Sequence, residues 1–494
     1  MAAPARIPSV SDPYTPLTPG ASGADAALAT DGRPSPDNGR ILATVAMSVA
    51  IAMVLLLPAI FNGYPILFSD TADYLLRSET LLPSPIRAPG YAFWLRFTSG
   101  GTGLWLPVVA QALMLSALAW QVVRVVGRPR PAATLGGALA MVLFTSVGWV
   151  SSKAMPDLFV AMVVLGLYLI ACKWNALGAA GRALAIASVA VGATMHLTNV
   201  LVGAAALAAM LALQLAERAD RKALRPWTAA ALLLVASAAG SRSYDYVRRD
   251  VAQPSNGGMF VLSHLVETGL AEQLLQERCE FERFALCAVR DTLTRPVEMF
   301  VWRPESSPRY LVLHNDPALI RSETLHLLRG IVMHHPFALA GSIVAYTARQ
   351  FVTFRVNDEI WRHRNRTEVQ RVIARMYPNE LPAQERARQQ ANTLRLPWTP
   401  LVHLIAFLAA AAFSIVMLKR EHAARRITVG SVAGFHVMVW ITLIANAAVC
   451  ANLASVFSRY QSRVSWLLPF AVLLSLVERG TRRFAARDLS TAQA

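Results

Sequence analysis

The chain has 494 residues, of which 55% are hydrophobic and only 16% are charged, and its mean hydropathy is +0.41. This composition excludes a water-soluble globular protein of this size, because too few polar residues remain to cover its surface. The net charge of +17 is expected of a membrane protein whose basic loops lie near anionic lipid, so no nucleic-acid partner is predicted.

The apolar residues come in blocks of about 20 that are separated by charged loops, which is the length at which a helix crosses the hydrocarbon of a bilayer. The sequence therefore predicts an all-α fold, a polytopic transmembrane helical bundle of about ten spans with a mostly helical periplasmic region. The predicted spans are about 41–61, 104–123, 133–150, 158–172, 183–198, 200–216, 227–240, 401–418, 427–450 and 464–477.

Composition divides the chain further. Residues 1–40 are rich in Pro, Ala, Ser and Gly and predict a disordered cytoplasmic tail. Spans one to seven form an N-terminal bundle over 41–240, and a periplasmic region follows over 241–400, in which the apolar run 336–354 is predicted to be an interfacial or re-entrant helix. The last spans lie within 401–480, and 481–494 is a second cytoplasmic tail.

Basic residues assign the two sides of the membrane. Arg and Lys concentrate in alternate short loops, which the positive-inside rule places in the cytoplasm. These loops contain Arg124, Arg128, Arg130, Lys173, Arg182, Arg218, Arg221, Lys222 and Arg225. The polar residues that could take part in chemistry therefore lie on the opposite, periplasmic face.

The loop after the first span contains two carboxylates, Asp70 and Asp73, in the sequence FSDTADYL. An acidic pair at a membrane surface calls for an explanation, because burying a charged carboxylate in hydrocarbon is energetically costly. One interpretation is a general base or a metal ligand that faces a lipid-borne substrate. The other is a helix cap, in which Asp70 accepts the free N–H groups of a helix through Tyr74. The local sequence leaves both open.

Other polar residues of this face are candidates for ligand contacts. Arg459 and Arg463 are four residues apart, so they lie on one side of a helix and can clamp a phosphate. Three other residues also have a structural interpretation. Lys153 can contact a lipid headgroup, Asp157 can cap a helix, and His196 can be a hydrogen-bonded residue of a hairpin beside Asn199.

The four cysteines include one close pair, Cys279 and Cys287, in the predicted periplasmic region. An oxidising compartment would allow them to form a disulfide, and two free thiols are the alternative.

Taken together, the motifs resemble those of the GT-C class of membrane glycosyltransferases. The resemblance covers most of 41–480 and depends on the acidic loop FSDTADYL, the turn RAPGY before a helix, the Pro-Asp pair of MPDLF, and RYQSR before the last span. It implies an active site at the outer face of the bacterial inner membrane and an isoprenoid-phosphate-linked sugar as donor.

The resemblance also implies roles for single residues. Asp70 would be the catalytic or metal-binding acid and Asp73 the second acid, with Mg²⁺ or Mn²⁺ as the cation if one takes part. Arg459, Arg463 and Arg87 would bind the donor phosphate. Further substrate contacts are expected from Tyr74, Lys153, Asp157, His196, Asn199 and Tyr460.

The expected function is transfer of a sugar from a polyprenyl-phosphate-linked donor to a glycan or lipid acceptor. The alternative is a non-catalytic or transport protein of the envelope in which the acidic loop only caps a helix.

Overall fold

The computed structural model describes residues 36–84, 87–217, 225–248, 257–293, 300, 307, 311–357, 360–363 and 367–493. These residues form a helical protein without strands, with one isolated bridge between Ile66 and Lys153. The α-helices are α1 (Pro36–Leu55), α2 (Leu57–Asn62), α3 (Thr71–Thr80), α4 (Gly90–Thr98), α5 (Trp105–Val126), α6 (Pro131–Phe144), α7 (Val147–Ser151), α8 (Phe159–Cys172), α9 (Ala179–Met195), α10 (Leu197–Ala216), α11 (Arg225–Val247), α12 (Gly257–Glu267), α13 (Leu270–Arg278), α14 (Pro317–His334), α15 (Pro336–Phe351), α16 (Glu368–Met376), α17 (Leu381–Arg386), α18 (Arg388–Ala391), α19 (Thr399–Ala423), α20 (Val432–Leu453), α21 (Ser458–Ser465) and α22 (Leu467–Gln493). Short 3₁₀ helices cover Pro156–Leu158, Trp174–Ala176, Ala285–Thr292 and Pro378–Glu380.

Five stretches of the described chain are long and apolar enough to cross a membrane, which supports the prediction of a helical membrane protein. They are Trp105–Val126, Leu197–Ala216, Thr399–Ala423, Val432–Leu453 and Ser458–Arg483. The pair α14 and α15 adds a sixth if it counts as one broken span, although its two helices meet at 108°. Four further predicted spans correspond to shorter apolar helices, over 41–55, 131–144, 156–172 and 179–195.

Several predicted boundaries need correction. The first span is not one helix: it breaks between Leu55 and Leu57, because Pro58 cannot donate the next backbone hydrogen bond. The third span breaks at Thr145, whose backbone is extended. Helix α11 runs beyond the predicted span 227–240, and its polar C-terminal half keeps it out of the set of membrane-length apolar helices.

The two predicted tails also change. Most of the expected N-terminal tail, residues 1–35, lies outside the described residues, but its last five residues already belong to α1. The C-terminal tail continues α22 as helix through Gln493.

Helix α8 occupies the centre of the bundle, and every residue from Phe159 to Ile170 is buried. It packs closely against α9 and α10 because small residues face it. A Cβ atom on Gly192 would lie 2.6 Å from Cγ2 of Val163, and one on Gly203 would lie 2.8 Å from Cγ1 of the same side chain. These glycines allow the close helix approach that is common in membrane bundles.

Described residues between 257 and 334 build a separate hydrophobic cluster, in which α12, α13 and α14 pack together. A disulfide joins Cys279 to Cys287 within it, so of the two alternatives that the sequence left open the bridge is the one observed. Cys172 and Cys450 are free thiols.

Candidate functional site

The acidic loop between α2 and α3 is held from two sides. On one side, Ile66 pairs with the segment before α8: its N–H donates to the carbonyl of Ser152, and its carbonyl accepts from the N–H of Ala154, both at 2.9 Å. On the other side, the Gln389 side chain pairs with the backbone of Leu67, accepting its N–H at 3.0 Å and donating to its carbonyl at 2.7 Å. The loop is therefore fixed before any ligand binds.

Asp70 occupies the N-cap position of α3, yet its side chain makes no capping hydrogen bond. Its Oδ2 atom instead lies 2.8 Å from Nη1 of Arg87 and 2.8 Å from Nη1 of Arg459. The interpretation of Asp70 as a simple cap is therefore wrong. The capping pattern and the ion-pair pattern look identical in sequence, because both need an Asp before a helix.

Asp73 extends the charged cluster along α3. Its Oδ2 lies 3.0 Å from Nε of Arg87, and its Oδ1 lies 3.5 Å from Nε of Arg77, one helical turn further on. Asp73 also accepts a long hydrogen bond of 3.4 Å from Ser84. Arg87 thus connects both carboxylates, so the RAPGY turn is part of the site. We refer to Asp70, Asp73, Arg77, Arg87 and Arg459 as the charged cluster.

Aromatic rings line the arginines. The guanidinium of Arg459 lies 4.5 Å from the ring centre of Phe68 and 5.0 Å from that of Tyr460. Arg87 lies 5.2 Å from the ring centre of Tyr74. These cation–π contacts fix the guanidinium planes, because the rings favour a cation over their faces. Burial raises the pKa of Tyr74 to about 12, so its hydroxyl stays protonated at neutral pH.

Arg463 lies one turn after Arg459 on α21 and is only 2% exposed. Its Nε and Nη2 donate to Oδ1 of Asn446 at 3.0 and 2.8 Å, and Nη2 also lies 3.0 Å from Oγ1 of Thr198 and 3.1 Å from Sγ of Cys450. All of these partners are neutral. Within the described part of the chain, Arg463 therefore has no carboxylate to balance its buried charge.

His196 and Asn199 shape the junction between α9 and α10. His196 caps α10, because its Nδ1 accepts the N–H of Thr198 at 3.2 Å. Burial, and then the charges of Arg463 and Arg459, lower the pKa of His196 to about 3, so the imidazole is neutral at pH 7. Asn199 donates to the carbonyl of Gly192 at 2.9 Å and thereby joins the two helices. Its observed role is structural.

Lys153 and Asp157 belong to the segment that pairs with the acidic loop. Both are buried, at 4% and 8% exposure. The carbonyl of Lys153 accepts a 2.6 Å hydrogen bond from Gln111. Asp157 accepts no hydrogen bond from any residue that the structure describes, although it lies in the 3₁₀ turn against which α21 packs. Its carboxylate is thus available to a ligand.

The electrostatic balance of the cluster favours a bound anion. Burial alone would raise the pKa of Asp70, but the charges of Arg459 and Arg87 outweigh it and lower the pKa to about 2. Within the cluster, Arg77, Arg87 and Arg459 carry three positive charges against the two carboxylates of Asp70 and Asp73. Of the charged side chains beside it, Arg463 adds one positive charge and Asp157 one negative charge.

A divalent cation fits this arrangement poorly. Mg²⁺ requires several oxygen ligands, and two guanidinium groups already contact the Oδ2 atom of Asp70. Among the described residues, no group of three His, Cys, Asp or Glu side chains is placed to hold a metal ion. The residues present therefore do not match the metal site expected at Asp70.

Some residues that build the site carry no recognisable sequence signal. Gln389, Asn446 and Thr198 position the loop or the arginines, but amides and hydroxyls at these places form no motif. Asn446 is recognisable in the sequence only as a polar residue within an apolar span, where an unpaired amide would be costly.

No family model, curated protein or solved structure matches this chain. The geometry of the site and the resemblance of its motifs are therefore the grounds on which a function is proposed below.

Gln389→Ala should loosen the acidic loop. The substitution removes the partners of both backbone groups of Leu67, and a buried polar group left without a partner costs about 1–3 kcal/mol. We expect faster hydrogen exchange at 63–70 and a lower unfolding temperature in detergent. Gln384→Ala is the matched control, because Gln384 is equally buried but bonds to His363 instead. Equal exchange at 63–70 in both variants would contradict the assignment.

The stability of the protein should depend on the ionisation of Asp70 at acidic pH. The folded-state pKa of about 2 lies below the ordinary value of 3.8. Ionised Asp70 therefore stabilises the fold above about pH 4, and that contribution, about 2 kcal/mol, is lost as pH falls through 2.

Unfolding in detergent, followed between pH 6 and pH 2.5, tests this dependence. Asp70→Asn should be less stable at pH 7, because Arg87 and Arg459 each lose the ion pair with Asp70, and its stability should fall less steeply with acid. Parallel pH curves for the wild type and Asp70→Asn would show that Asp70 has an ordinary pKa.

Proposed function

We propose that the chain is an integral membrane glycosyltransferase that moves a sugar from a polyprenyl-phosphate-linked donor to a glycan or lipid acceptor of the cell envelope. The observation that carries the proposal is the gathering of Arg77, Arg87, Arg459 and Arg463 at one end of the apolar helices, where their four positive charges exceed the three carboxylates of Asp70, Asp73 and Asp157. A lipid phosphate diffusing in the bilayer has the charge and the position to complete this site.

Arg459 and Arg463 are the proposed phosphate ligands. They are successive on one face of α21, and Arg463 is buried against neutral partners only, so an incoming phosphate does not have to displace a carboxylate from it. The N-terminus of the 20-residue helix α10 adjoins Arg463 through Thr198. Helix N-termini favour anions, and arginines bind phosphate oxygens in a bidentate manner.

The proposed reaction is a substitution at the anomeric carbon of the donor sugar. An acceptor hydroxyl oxygen forms the new bond to that carbon, while the bond from the carbon to the phosphate oxygen breaks and its electron pair stays on the phosphate. The arginines stabilise the charge that develops on the leaving phosphate. The proton of the acceptor hydroxyl passes to a carboxylate, for which Asp70 is the first candidate and Asp73 its assistant.

Asp70 is a weak base while both arginines hold it, since its pKa is then about 2. A bound phosphate shares the charge of Arg87 and Arg459, so the pKa of Asp70 rises toward its ordinary range when the donor is present. A base is more effective when its pKa approaches the working pH. Donor binding would thus activate the carboxylate that deprotonates the acceptor.

The remaining candidates would contact the substrates. Asp157 offers a nine-tenths buried carboxylate without a described partner, which suits an acceptor hydroxyl. Tyr74 and Tyr460 flank the arginines and supply stacking surfaces for sugar rings. The backbone of Lys153 pairs with the acidic loop, so a contact of its side chain with substrate is the least supported of these roles.

We place the site on the periplasmic face of the bacterial inner membrane, in a chain of ten spans. Support comes from the basic residues of alternate loops. The disulfide between Cys279 and Cys287 also favours an oxidising compartment for 257–334. The four shorter apolar helices and α11 would complete the count, because tilted or buried helices need not reach the full membrane length.

The proposal predicts that changes at Asp70 abolish transfer. The measurement is transfer of radiolabelled sugar by purified, monodisperse protein, from a panel of polyprenyl-phosphate sugars to envelope glycolipids. Asp70→Asn removes the proton acceptor, and Asp70→Glu keeps the charge but displaces the carboxylate by one methylene group. Loss of a general base costs about 10²–10⁴ in rate.

The chain supplies a matched control at Asp316, a true helix cap whose carboxylate accepts the N–H of Ala318 at 2.8 Å. Asp316→Asn should keep the wild-type rate, because Asn caps a helix about as well as Asp. A folded Asp70→Asn variant with wild-type turnover would remove Asp70 from the chemistry. Failure of the wild type with every donor would favour the non-catalytic alternative.

A further inference from the structure

The short linker 454–457, between α20 and α21, determines where Arg459 lies. Phe457 is the last residue before α21, and its backbone is extended, with φ −131° and ψ 138°. Its carbonyl accepts the N–H of Tyr460 at 3.1 Å, which begins the helix. Arg459 is the second residue of α21, so the position of its guanidinium group follows the position of the Phe457 backbone.

Gln350, on α15, holds the backbone of Phe457 with its side-chain amide. Its Oε1 accepts the N–H of Phe457 at 2.9 Å, and its Nε2 donates to the carbonyl of the same residue at 3.0 Å. The side chain of Gln350 is completely buried. Gln389 holds the backbone of Leu67 in the same way. The two segments that meet at the charged cluster are therefore each held by a glutamine from another part of the chain.

The other end of the linker is held by α12. The buried hydroxyl of Ser455 donates to Oε2 of Glu267 at 2.8 Å and lies 3.1 Å from Oε1 of the same carboxylate. Hydrogen bonds to an ionised carboxylate are stronger than those between neutral groups. The linker is therefore fixed at two points, by one side chain from α12 and one from α15.

We propose, on the basis of the donor site proposed above, that Gln350 is a positioning residue for Arg459 and thereby strengthens the binding of a lipid phosphate. Arg459 lies 2.8 Å from Asp70 and packs against the rings of Phe68 and Tyr460. A binding group must be held to within about 0.5 Å of its productive position. Without Gln350, the Phe457 N–H loses its partner and the first turn of α21 is free to shift, which moves Arg459 away from Asp70.

Helix α15 supplies both the test variant and its control. Gln350→Met removes both hydrogen bonds to Phe457 but keeps an unbranched side chain in the buried space, where Met adapts well. Thr347→Val is the control, because Thr347 lies one turn earlier on α15 and accepts a 3.1 Å hydrogen bond from Asn452 of α20. It therefore removes a polar contact between α15 and the C-terminal helices without touching the linker.

The first measurement needs no lipid: it is the unfolding temperature of the full-length protein in detergent between pH 6 and pH 2.5. Burial raises the pKa of Asp70, but the charges of Arg459 and Arg87 lower it to about 2. If Arg459 moves away, this pKa rises toward 3.8, so less stability is lost as the pH falls. We expect the slope for Gln350→Met to lie between those of the wild type and Asp70→Asn, and Thr347→Val to match the wild type. A wild-type slope for Gln350→Met would overturn the proposal.

The second measurement is the affinity of the same proteins for undecaprenyl phosphate. Gln350→Met should bind it about tenfold more weakly, which is within the range for coupled neighbours, and Thr347→Val should bind it like the wild type. The double variant Gln350→Met/Arg459→Gln should bind no more weakly than Arg459→Gln, because Gln350 acts through Arg459. A further tenfold loss in the double variant would contradict this.

The two measurements separate this inference from the proposed function. A wild type that does not bind undecaprenyl phosphate would contradict the donor site, and with it the effect on affinity, while the pH curves would still decide whether Gln350 positions Arg459. If Gln350→Met does not fold, Ser455→Ala removes the other anchor of the linker and is measured in the same way. The same reduced slope is expected for it, and a wild-type slope would overturn the proposal.

Discussion

One carboxylate oxygen of Asp70 is shared by two arginines from distant parts of the chain, and the geometry of the site depends on this contact. Arg87 comes from the turn before α4, and Arg459 lies 389 residues after Asp70, at the start of α21. A largely buried carboxylate is stable only when it is paired, and two guanidinium groups that face each other need an anion between them. Asp70 satisfies both requirements, so the acidic loop, the RAPGY turn and α21 hold one another in place.

The same contact leaves the site electrostatically incomplete. With Asp70 and Asp73 shared among several arginines, and with Arg463 buried against neutral groups, the region keeps an excess of positive charge. A structural ion-pair network would normally match its charges, since an unmatched buried cation is costly. An anionic ligand removes this cost, and a phosphate attached to a membrane lipid reaches a site at the ends of apolar helices without leaving the bilayer.

Preorganisation comes from polar residues that never touch the charged cluster. Gln389 and the bridge between Ile66 and Lys153 fix the loop, while Asn446 orients Arg463. A site that is assembled before its ligand arrives avoids the entropy of ordering at the moment of reaction. The segment that contains Gln389 therefore belongs to the scaffold of the proposed site, although it lies more than 300 residues from the acidic loop in sequence.

The sequence predicted what depends on composition and short spacing: the helical membrane fold, the acidic loop, and the arginine pair of α21. It could not decide between a cap and an ion pair at Asp70, because the partners of that side chain are distant in sequence. It also missed the break at Pro58, since an apolar run hides a helix interruption. The role of Gln389 in holding the acidic loop could not be predicted for a related reason, because a long-range amide contact has no periodicity and no motif.

The most direct test of the account is an experimental structure of the protein with bound undecaprenyl phosphate. We expect density for the phosphate in contact with Arg459 and Arg463, and a distance from Asp70 to Arg459 longer than the 2.8 Å described above. Lipid phosphate bound elsewhere, with the contacts of Asp70 unchanged, would contradict the assignment of this cluster as the donor site.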